Sequence, residues 1–304
     1  MCGIVGYSGP KEPLPILING LSRLEYRGYD SAGIAISDGN KITVEKKEGK
    51  LDVLKNHLKD SNIKGNIGIG HTRWATHGVP NDVNAHPHSD NSEEFAIIHN
   101  GIIENYAEIK KDLLEEGFEF KSDTDTEVVA VELSRKWNGQ LLKTVTDVAK
   151  NLEGTYALVV TTTKEEGTIV AGRLMSPLVL GVGENEVFLA SDSAAILEHT
   201  NKMIFLENGD FVEIKNGQYK LFDSDLNEIE REIQEIDWEV SEAEKLGYDH
   251  FMYKEILEQS EVIERTISGR IETTSKEIPI KQDEASKYEK IWIVACGTAY
   301  HAGL

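Results

Sequence analysis

Short apolar runs bounded by Gly, Asn and Asp recur from residue 1 to about residue 240. Runs of this length that are rich in Val, Ile and aromatic residues predict β-strands. The predicted strands are residues 2–7, 33–37, 42–46, 67–71, 95–99, 156–161, 168–173, 179–182 and 187–190, with two more between Ile204 and Leu221. The dipeptides Asn208-Gly209 and Asn216-Gly217 favour tight turns, so the last two runs read as a meander.

Other stretches place apolar residues at helical spacing and predict four helices. The helical stripes are Leu14, Leu17, Ile18, Leu21 and Leu24; Tyr106, Ile109 and Leu113; Val129, Leu133 and Trp137; and Leu141, Val145, Val148 and Leu152. Gly117 is the expected stop of the second helix. Many strands with helices inserted in pairs indicate an α+β fold, in which two packed sheets are covered by helices.

The pattern of apolar and polar positions changes after residue 222. A dense run of carboxylates from Asp223 to Glu244 indicates a solvated helix or linker face, and a helical segment follows over about residues 249–268. The apolar run at residues 291–295 leads into Cys296-Gly297-Thr298, which looks like the opening of an α/β domain. One strand cannot bury a core, so we expect a fragment of a longer protein. The predicted organisation is a main domain over residues 1–240, a linker with a helical segment over 241–290, and a truncated domain start over 291–304.

The composition limits the classes of binding partner and the cellular compartment that we expect for this protein. The 304 residues are 39% hydrophobic and carry a net charge of −21, which disfavours nucleic acid and anionic membranes as partners. Two cysteines almost a chain length apart, Cys2 and Cys296, form no disulfide framework. No signal peptide and no apolar run of about 20 residues is visible, so we expect a cytoplasmic protein.

Cys2 is the first candidate for chemistry. Removal of Met1 would leave one residue with a thiol nucleophile and a free α-amine, whose ordinary pKa of about 8 suits a base near neutral pH. The alternative is a small buried cysteine at the start of a strand. The remaining motifs must decide between the two.

A dense polar stretch, Gly70-His71-Thr72-Arg73-Trp74-Ala75-Thr76-His77-Gly78, follows a predicted strand. The guanidinium of Arg73 can bind a carboxylate in a bidentate manner, and Trp74 can cover a ligand. An ordinary loop with a structural Arg–acid pair is the alternative. The nearby Asn84-Ala85-His86-Pro87-His88 lacks the spacing of a metal site, so we expect a hydrogen-bonded loop there and no metal.

Two further motifs precede predicted helices. Asn100-Gly101 could be a hairpin turn, but the next segment is helical, so we prefer a strand–turn–helix junction. At such a junction an amide and a backbone N–H can stabilise one oxyanion. Thr124 and Glu127 fit a capping box, which leaves Asp125 to bind a cation or simply to favour the helix dipole.

Together these residues offer a nucleophile with its own base, a carboxylate receptor, an ammonium receptor and two oxyanion donors. A free amino acid with a side-chain carbonyl satisfies all of them. Thiol attack on that carbonyl is acyl transfer, and an amide would release ammonia. Hydrolysis of glutamine or asparagine is therefore the hypothesis that the residues themselves support.

The sequence resembles the glutaminase domain of the glucosamine-6-phosphate synthases, or glutamine–fructose-6-phosphate aminotransferases. The resemblance spans nearly the whole chain. The stretches that carry it are residues 2–6, 24–33, 70–78, 84–88, 97–106, 122–127, 190–192 and 296–298. It implies a four-layer αββα sandwich of the N-terminal-nucleophile hydrolase type, followed by a linker and the first strand of an α/β sugar isomerase domain.

The resemblance also implies a role for each site residue, with no cofactor and no metal. Cys2 would attack the amide of L-glutamine with its α-amine as base, through a water, while Asn100 and Gly101 bind the oxyanion. For the substrate, Arg73 would hold the carboxylate, with Thr76 and His77 nearby, and Asp125 the ammonium group. Trp74 would gate the loop over the substrate. Arg27 would support the surroundings of the nucleophile.

In the longer protein, the resemblance implies that ammonia reaches fructose 6-phosphate and gives glucosamine 6-phosphate, the first step of hexosamine and UDP-N-acetylglucosamine synthesis. It implies a homodimer formed through the missing isomerase half. Thr298 would contact the sugar phosphate. Two positions depart from the family pattern: Ser260 replaces an expected Pro, and Ala299 replaces a frequent Ser.

Two alternatives remain open. One is the glutaminase domain of phosphoribosyl-pyrophosphate amidotransferase, glutamate synthase or asparagine synthetase, which share the N-terminal Cys and the Asn-Gly motif. Three features argue against it: the Trp-Ala-Thr-His-Gly run, the Asn84–His88 motif and Cys296-Gly297-Thr298. The other is a non-catalytic glutamine-binding paralogue, which a retained Met1 would favour because the α-nitrogen of Cys2 would then be an amide.

Overall fold

The computed structural model describes residues 2–236, residue 248 and residues 251–267. The strands are β1 Gly3–Ser8, β2 Ser31–Ser37, β3 Ile42–Glu48, β4 Ile67–Arg73, β5 His88–Ser89, β6 Phe95–Ile103, β7 Gly154–Thr162, β8 Thr168–Leu174, β9 Val179–Val182, β10 Val187–Ala190, β11 Lys202–Phe205, β12 Phe211–Lys215, β13 Gln218–Phe222, β14 Glu228–Ile229 and β15 Gln234–Glu235. The helices are α1 Pro13–Leu24, α2 Leu51–Leu58, α3 Tyr106–Glu115, α4 Asp125–Arg135, α5 Leu141–Ala149 and α6 Phe251–Ile267.

The strands form two antiparallel sheets. The first sheet has the order β15-β11-β9-β10-β1-β4-β2-β3, and the second has the order β14-β13-β12-β8-β7-β6-β5. β1 lies between β10 and β4, and its register pairs Gly3 with Thr72 and Ile4 with His71. β6 pairs along its whole length with β7, which places Asn100 opposite Ala157.

Alternate residues of each central strand face different cores. In β1, Ile4 belongs to the core between the two sheets, whereas Val5 and Tyr7 pack under α1 and α2. In β6, Ala96 and Ile98 face the inter-sheet core, whereas Phe95 and Ile97 pack under α4 and α5. The layers are therefore helices, sheet, sheet, helices, and the predicted αββα sandwich is confirmed.

Several predicted elements differ from the observed ones. The strand expected to end at His99 continues through Asn100 and Gly101 to Ile103, so the Asn-Gly pair lies inside β6 and not at a turn. The carboxylate run expected to be a helix or linker face instead contributes the short edge strands β14 and β15 within residues 223–236. The pattern also missed α2, whose Leu51, Leu54 and Leu58 face the core.

The chain separates into two compact units, Met1–Glu244 and Lys245–Leu304. The described part of the second unit includes α6, which confirms the helix expected over about residues 249–268. The predicted boundaries at residues 240 and 290 lie outside the described residues, and so does Thr298. None of the described helices combines the length and apolar character that a membrane span requires.

Candidate active site

Cys2 lies directly before β1, beside the end of β4. Its Sγ accepts a hydrogen bond from the backbone N–H of Trp74 at 3.2 Å and lies 3.5 Å from the carbonyl oxygen of the same residue. Burial raises the pKa of the Cys2 thiol, and the Trp74 N–H and the nearby Arg73 guanidinium oppose that shift only in part. At neutral pH the thiol therefore needs a base before it can act as a nucleophile.

Arg73 is the last residue of β4 and is almost fully buried. Its Nη2 donates to the carbonyl oxygens of His77 and of Gly78, the latter at 3.2 Å. Its Nη1 is buried without a hydrogen-bond partner among the described residues. A buried guanidinium N–H without a partner is costly, and a carboxylate is the group that satisfies it best.

Asn100 connects β6 to Cys2. Its Nδ2 donates to the carbonyl oxygen of Cys2 at 3.0 Å, and its Oδ1 lies 3.0 Å from Nε2 of His71. One N–H of the Asn100 amide group remains for a ligand, because Nδ2 carries two. The neighbouring Gly101 has a φ of +126°, and a Cβ on it would lie 2.0 Å from the carbonyl oxygen of Thr155. Only glycine fits this position.

Asp125 opens α4 and is buried at the end of β6. Thr124 caps the helix by accepting a hydrogen bond from the Glu127 N–H at 3.2 Å, as the capping-box motif predicts. The reciprocal bond differs, since the Glu127 carboxylate accepts from the N–H groups of Lys121 and Ser122 instead of that of Thr124. The Asp125 carboxylate accepts from the Ile103 N–H at 2.9 Å, which fixes its orientation, and its Oδ2 lies 3.9 Å from Nδ1 of His99.

Three predicted site residues that follow Arg73 along the chain, Trp74, Thr76 and His77, are arranged differently from one another. Trp74 is about half exposed (47%), and its ring meets the edge of Tyr29 at 5.5 Å between centroids. Thr76 lines the cavity described below. The ring of His77 instead packs edge-on against Tyr106 at 5.3 Å, and only its carbonyl oxygen touches Arg73.

One cavity of about 370 Å³ brings most of these residues together. Its walls are formed by Cys2, Arg73, Trp74, Thr76, His86, His99, Asn100, Gly101, Ile102, Thr124, Asp125, Thr126, Thr155, Ser176 and Pro177. Of the predicted site residues, His77 does not reach the cavity with its side chain. Arg27 belongs to the turn Glu25–Arg27, and its side chain lies outside the described part of the structure.

The sequence interpretation missed several walls of this cavity, above all His86 and His99. Burial lowers the pKa of both, so both imidazoles are neutral at physiological pH. His99 places Nδ1 3.0 Å from Thr126 Oγ1, beside Asp125. The available signals were the place of His99 at the end of a predicted strand and of His86 in the Asn84–His88 motif, whereas nothing in the sequence marks Ser176 or Pro177.

A metal centre is not supported in the described residues, where no group of three or more His, Cys, Asp or Glu side chains is arranged to hold an ion. The rings of His71 and His86 lie 4.2 Å apart between centroids, with their planes tilted by 33°. Each of the two has a buried Nδ1 without a hydrogen-bond partner in the described structure.

Comparison with known proteins gives three consistent matches. Residues 56–244 match the family described as glutamine amidotransferase domain. The chain is 50% identical to the glutamine–fructose-6-phosphate aminotransferase [isomerizing] of Clostridium perfringens (strain 13 / Type A), covering 100% of this chain and 50% of that protein. It is 46% identical to the protein of the same name from Aquifex aeolicus (strain VF5), with the same coverage. The chain thus spans about half the length of the curated relatives it matches.

A solved structure matches as well. The glutamine phosphoribosylpyrophosphate amidotransferase from B. subtilis, complexed with ADP and GMP, superposes with a TM-score of 0.66 and 28% sequence identity. The match covers 75% of this chain and 50% of that chain. This similarity agrees with the two-sheet layers described above.

Proposed function

Because the chain belongs to the glutamine amidotransferase family, we propose that it hydrolyses the side-chain amide of L-glutamine with Cys2 as nucleophile. The observation that carries the proposal is the convergence of four groups on one cavity. These are the Cys2 thiol, the Asn100 amide, the Arg73 Nη1, which has no partner among the described residues, and the Asp125 carboxylate. A glutamine molecule offers one complementary group to each of them.

Binding comes first. The Arg73 guanidinium pairs with the substrate carboxylate, and the Asp125 carboxylate pairs with the substrate ammonium group. Both side chains are buried, so these pairs form with little screening by water. Thr76 lines the cavity, His77 acts only through its carbonyl oxygen on Arg73, and Trp74 covers the cavity opening.

The chemical step requires that Met1 is absent. The α-amine of Cys2 then takes the thiol proton through a water molecule, and the thiolate attacks the amide carbon. Asn100 Nδ2–H and Gly101 N–H stabilise the tetrahedral oxyanion. Its collapse breaks the C–N bond, and the leaving group takes a proton from the α-ammonium to depart as ammonia. Water then hydrolyses the thioester and gives glutamate.

The whole protein would use that ammonia. We extend the proposal to the transfer of ammonia to fructose 6-phosphate, which gives glucosamine 6-phosphate, because relatives named for this reaction are about 50% identical over the whole chain. The half of their length that this chain does not span would supply the acceptor site and the homodimer contact. We expect the protein to act in the cytoplasm.

The test compares amide hydrolysis by the wild-type chain with that by Cys2→Ala and Asn100→Ala. Wild type should release glutamate and ammonia from L-glutamine, and Cys2→Ala should release none. Asn100→Ala should lower kcat by about 100- to 1000-fold with little change in KM, because an oxyanion donor acts in the transition state. Asn105→Ala is the matched control, since that side chain bonds the backbone of Asn151 and Glu153.

A second arm tests the ammonium receptor. Glutaramic acid is glutamine without its α-ammonium group. Asp125→Asn should raise KM for glutamine by about 10- to 100-fold but change the use of glutaramic acid far less. Glutamine hydrolysis by Cys2→Ala, or equal losses on both substrates, would contradict the proposal.

A further inference from the structure

Three carbonyl oxygens of one irregular segment converge on the ammonium group of Lys46 in β3. Nζ lies 3.0 Å from the oxygen of Val83, 2.7 Å from that of Ala85 and 3.1 Å from that of Pro87. An ammonium group has three N–H donors and no acceptor, so this arrangement uses every donor. Lys46 thus gathers the backbone of residues 83–87, hereafter the 83–87 segment.

The 83–87 segment has little regular structure of its own. It lies in a series of turns before the two-residue strand β5 and is held locally by the Ala85 N–H on the Asn81 oxygen at 3.1 Å. Three carbonyl dipoles that point at one place repel one another unless a cation lies between them. The path of this backbone therefore depends on the positive charge of Lys46, which lies on strand β3.

The segment carries two side chains that support the active site. The His86 ring forms a wall of the cavity and lies against His71, whose Nε2 contacts the amide oxygen of Asn100 at 3.0 Å. Just beyond the segment, Nε2 of His88 lies 3.1 Å from Oγ1 of Thr124, the residue that caps the helix of Asp125. The segment and the residue that follows it thus reach the proposed oxyanion donor through His71 and the proposed ammonium receptor through Thr124.

The fit of the segment on β2 is equally close. A Cβ on Gly33 would lie 2.2 Å from the carbonyl oxygen of His86. Gly33 pairs directly with Lys46 across β2 and β3, so the backbone of β2 and the Lys46 ammonium group both support the segment from the same face of the sheet. The close contact with Gly33 leaves no room for the segment to move towards the sheet if its carbonyl oxygens are released.

We propose that Lys46 is a positioning residue for the glutaminase reaction, whose ammonium group holds the 83–87 segment so that His86 and His88 brace Asn100 and Asp125. The proposal rests on the proposed function. Lys46 touches neither the cavity nor the substrate, and it acts through the segment. A mutation far from the reacting atoms that misplaces a group by about 1 Å can lower the rate about 100-fold, so the expected effect is measurable.

The electrostatic surroundings make this hold sensitive to pH. Two acidic residues, Glu127 of α4 and Asp82, lie near the Lys46 ammonium group and favour its charged form. Three basic residues, Lys121, Arg73 and His88, also lie near it. Burial lowers the pKa of Lys46 to about 8. Above that pH the neutral amine keeps two N–H donors for three carbonyl oxygens, so the segment loosens.

The free energy of unfolding of the whole protein should not fall with rising pH, although the segment loosens. The folded pKa of Lys46 lies below its ordinary value of 10.5, so between about pH 8 and that value the unfolded chain binds the proton more strongly. Deprotonation of this group therefore favours the folded state as pH rises. A loss of activity without a fall in thermal midpoint is then the mark of local loosening.

The test uses the 304-residue chain with three variants. Lys46→Met removes the charge at similar length, and Lys46→Arg keeps a cation at every accessible pH. Lys47→Met is the matched control, because the adjacent Lys47 binds Asp82 at 2.7 Å. The measurements are kcat and KM for glutamine from about pH 6.5 to about pH 9.5, thermal midpoints, and hydrogen exchange of the amides at residues 83–88.

Lys46→Met should lower kcat/KM by at least about tenfold near neutral pH and speed amide exchange in residues 83–88. Lys47→Met should have a kcat/KM and an amide exchange rate in residues 83–88 that are close to those of wild type. Wild type should lose activity above about pH 8 without a lower thermal midpoint, and Lys46→Arg should move that loss to higher pH.

Two results would overturn the proposal: Lys46→Met behaving like Lys47→Met, or Lys46→Arg losing activity at the same pH as wild type. If Lys46→Met does not fold, the pH profile of Lys46→Arg decides alone. A wild-type chain that hydrolyses no glutamine refutes the proposed function instead, and the exchange data then still test whether Lys46 holds the segment.

Discussion

Nε2 of His71 lies 3.0 Å from the amide oxygen of Asn100 and also 3.1 Å from the carbonyl oxygen of His99. A backbone carbonyl oxygen only accepts hydrogen bonds, so Nε2 carries the proton of the ring. Burial lowers the pKa of His71 to about 3, which keeps the ring neutral in this tautomer. His71 therefore turns the oxygen of the Asn100 amide away from Cys2 and its nitrogen towards Cys2.

Replacement of His71 by Phe keeps an aromatic ring and removes the donor. The Asn100 amide could then turn over and present its oxygen to the developing oxyanion, which would repel it. We expect kcat to fall by about 10- to 100-fold with KM nearly unchanged. His57→Phe, which removes an exposed ring paired with Glu45 at 2.8 Å, is the control and should leave both constants as in wild type. A raised KM with unchanged kcat would contradict this role.

Gly101→Ala tests the backbone at the proposed oxyanion donor. The φ of +126° and the 2.0 Å approach of a Cβ to the Thr155 oxygen mean that alanine cannot be accommodated without a shift of β6 against β7. We expect at least about a 100-fold loss of kcat together with a lower thermal midpoint. Gly117→Ala, also at positive φ but with open space around it, should lower the midpoint modestly and leave kcat intact. Equal effects of the two substitutions would refute this account.

Arg73→Lys retains the charge and removes the planar fork. A lysine ammonium can bind the substrate carboxylate through one contact or the loop carbonyl oxygens of His77 and Gly78, but not both in the same geometry. KM for glutamine should rise by about 10- to 100-fold, with a smaller change in kcat. Steady-state kinetics on Arg73→Lys and on the distant Arg135→Lys, which should resemble wild type, separate this effect from a general loss of charge. An unchanged KM would remove Arg73 from substrate binding.

Acid should destabilise the protein through its buried histidines. Burial lowers the pKa values of His71, His86, His88 and His99 below 6.5 in the folded chain. Below about pH 6.5 the unfolded chain binds more protons, so each of these histidines costs up to about 1.4 kcal/mol of unfolding free energy per pH unit. Denaturant titrations between about pH 7.5 and about pH 5 should show this fall. His86→Asn should reduce the slope, and a slope unaffected by the substitution would contradict the assignment.

The main features of the fold were predictable from the sequence because each central strand is buried on both faces. β1 and β6 divide their side chains between the inter-sheet core and the helix-covered core, which leaves a continuous apolar run that is easy to detect. Two-residue edge strands such as β14 and β15 give no such signal. Their positions come from pairing with β13 and β11, which only the assembled sheets provide.

The candidate site was predictable as a set of residue types but not as an arrangement. Cys2 precedes a strand of one sheet and Asn100 belongs to a strand of the other, so their 3.0 Å contact depends on how the sheets pack. The Asn-Gly pair was assigned to a turn because that dipeptide favours turns, whereas Gly101 is required here by close approach to Thr155 inside a strand. His86 reaches the cavity from an irregular segment whose carbonyl oxygens bind Lys46 of β3, a contact that the sequence pattern does not show.

The most direct test of the central claim, that Cys2 is an N-terminal nucleophile, is the intact mass of the purified chain before and after treatment with a glutamine analogue that carries an electrophilic carbon in place of the amide. We expect a mass that lacks one methionine, followed by a single adduct that peptide analysis locates on Cys2 and that excess glutamine prevents. Cys2→Ala should form no adduct even though Cys296 remains. A chain that retains Met1 and still hydrolyses glutamine, or an adduct on any residue other than Cys2, would contradict the account.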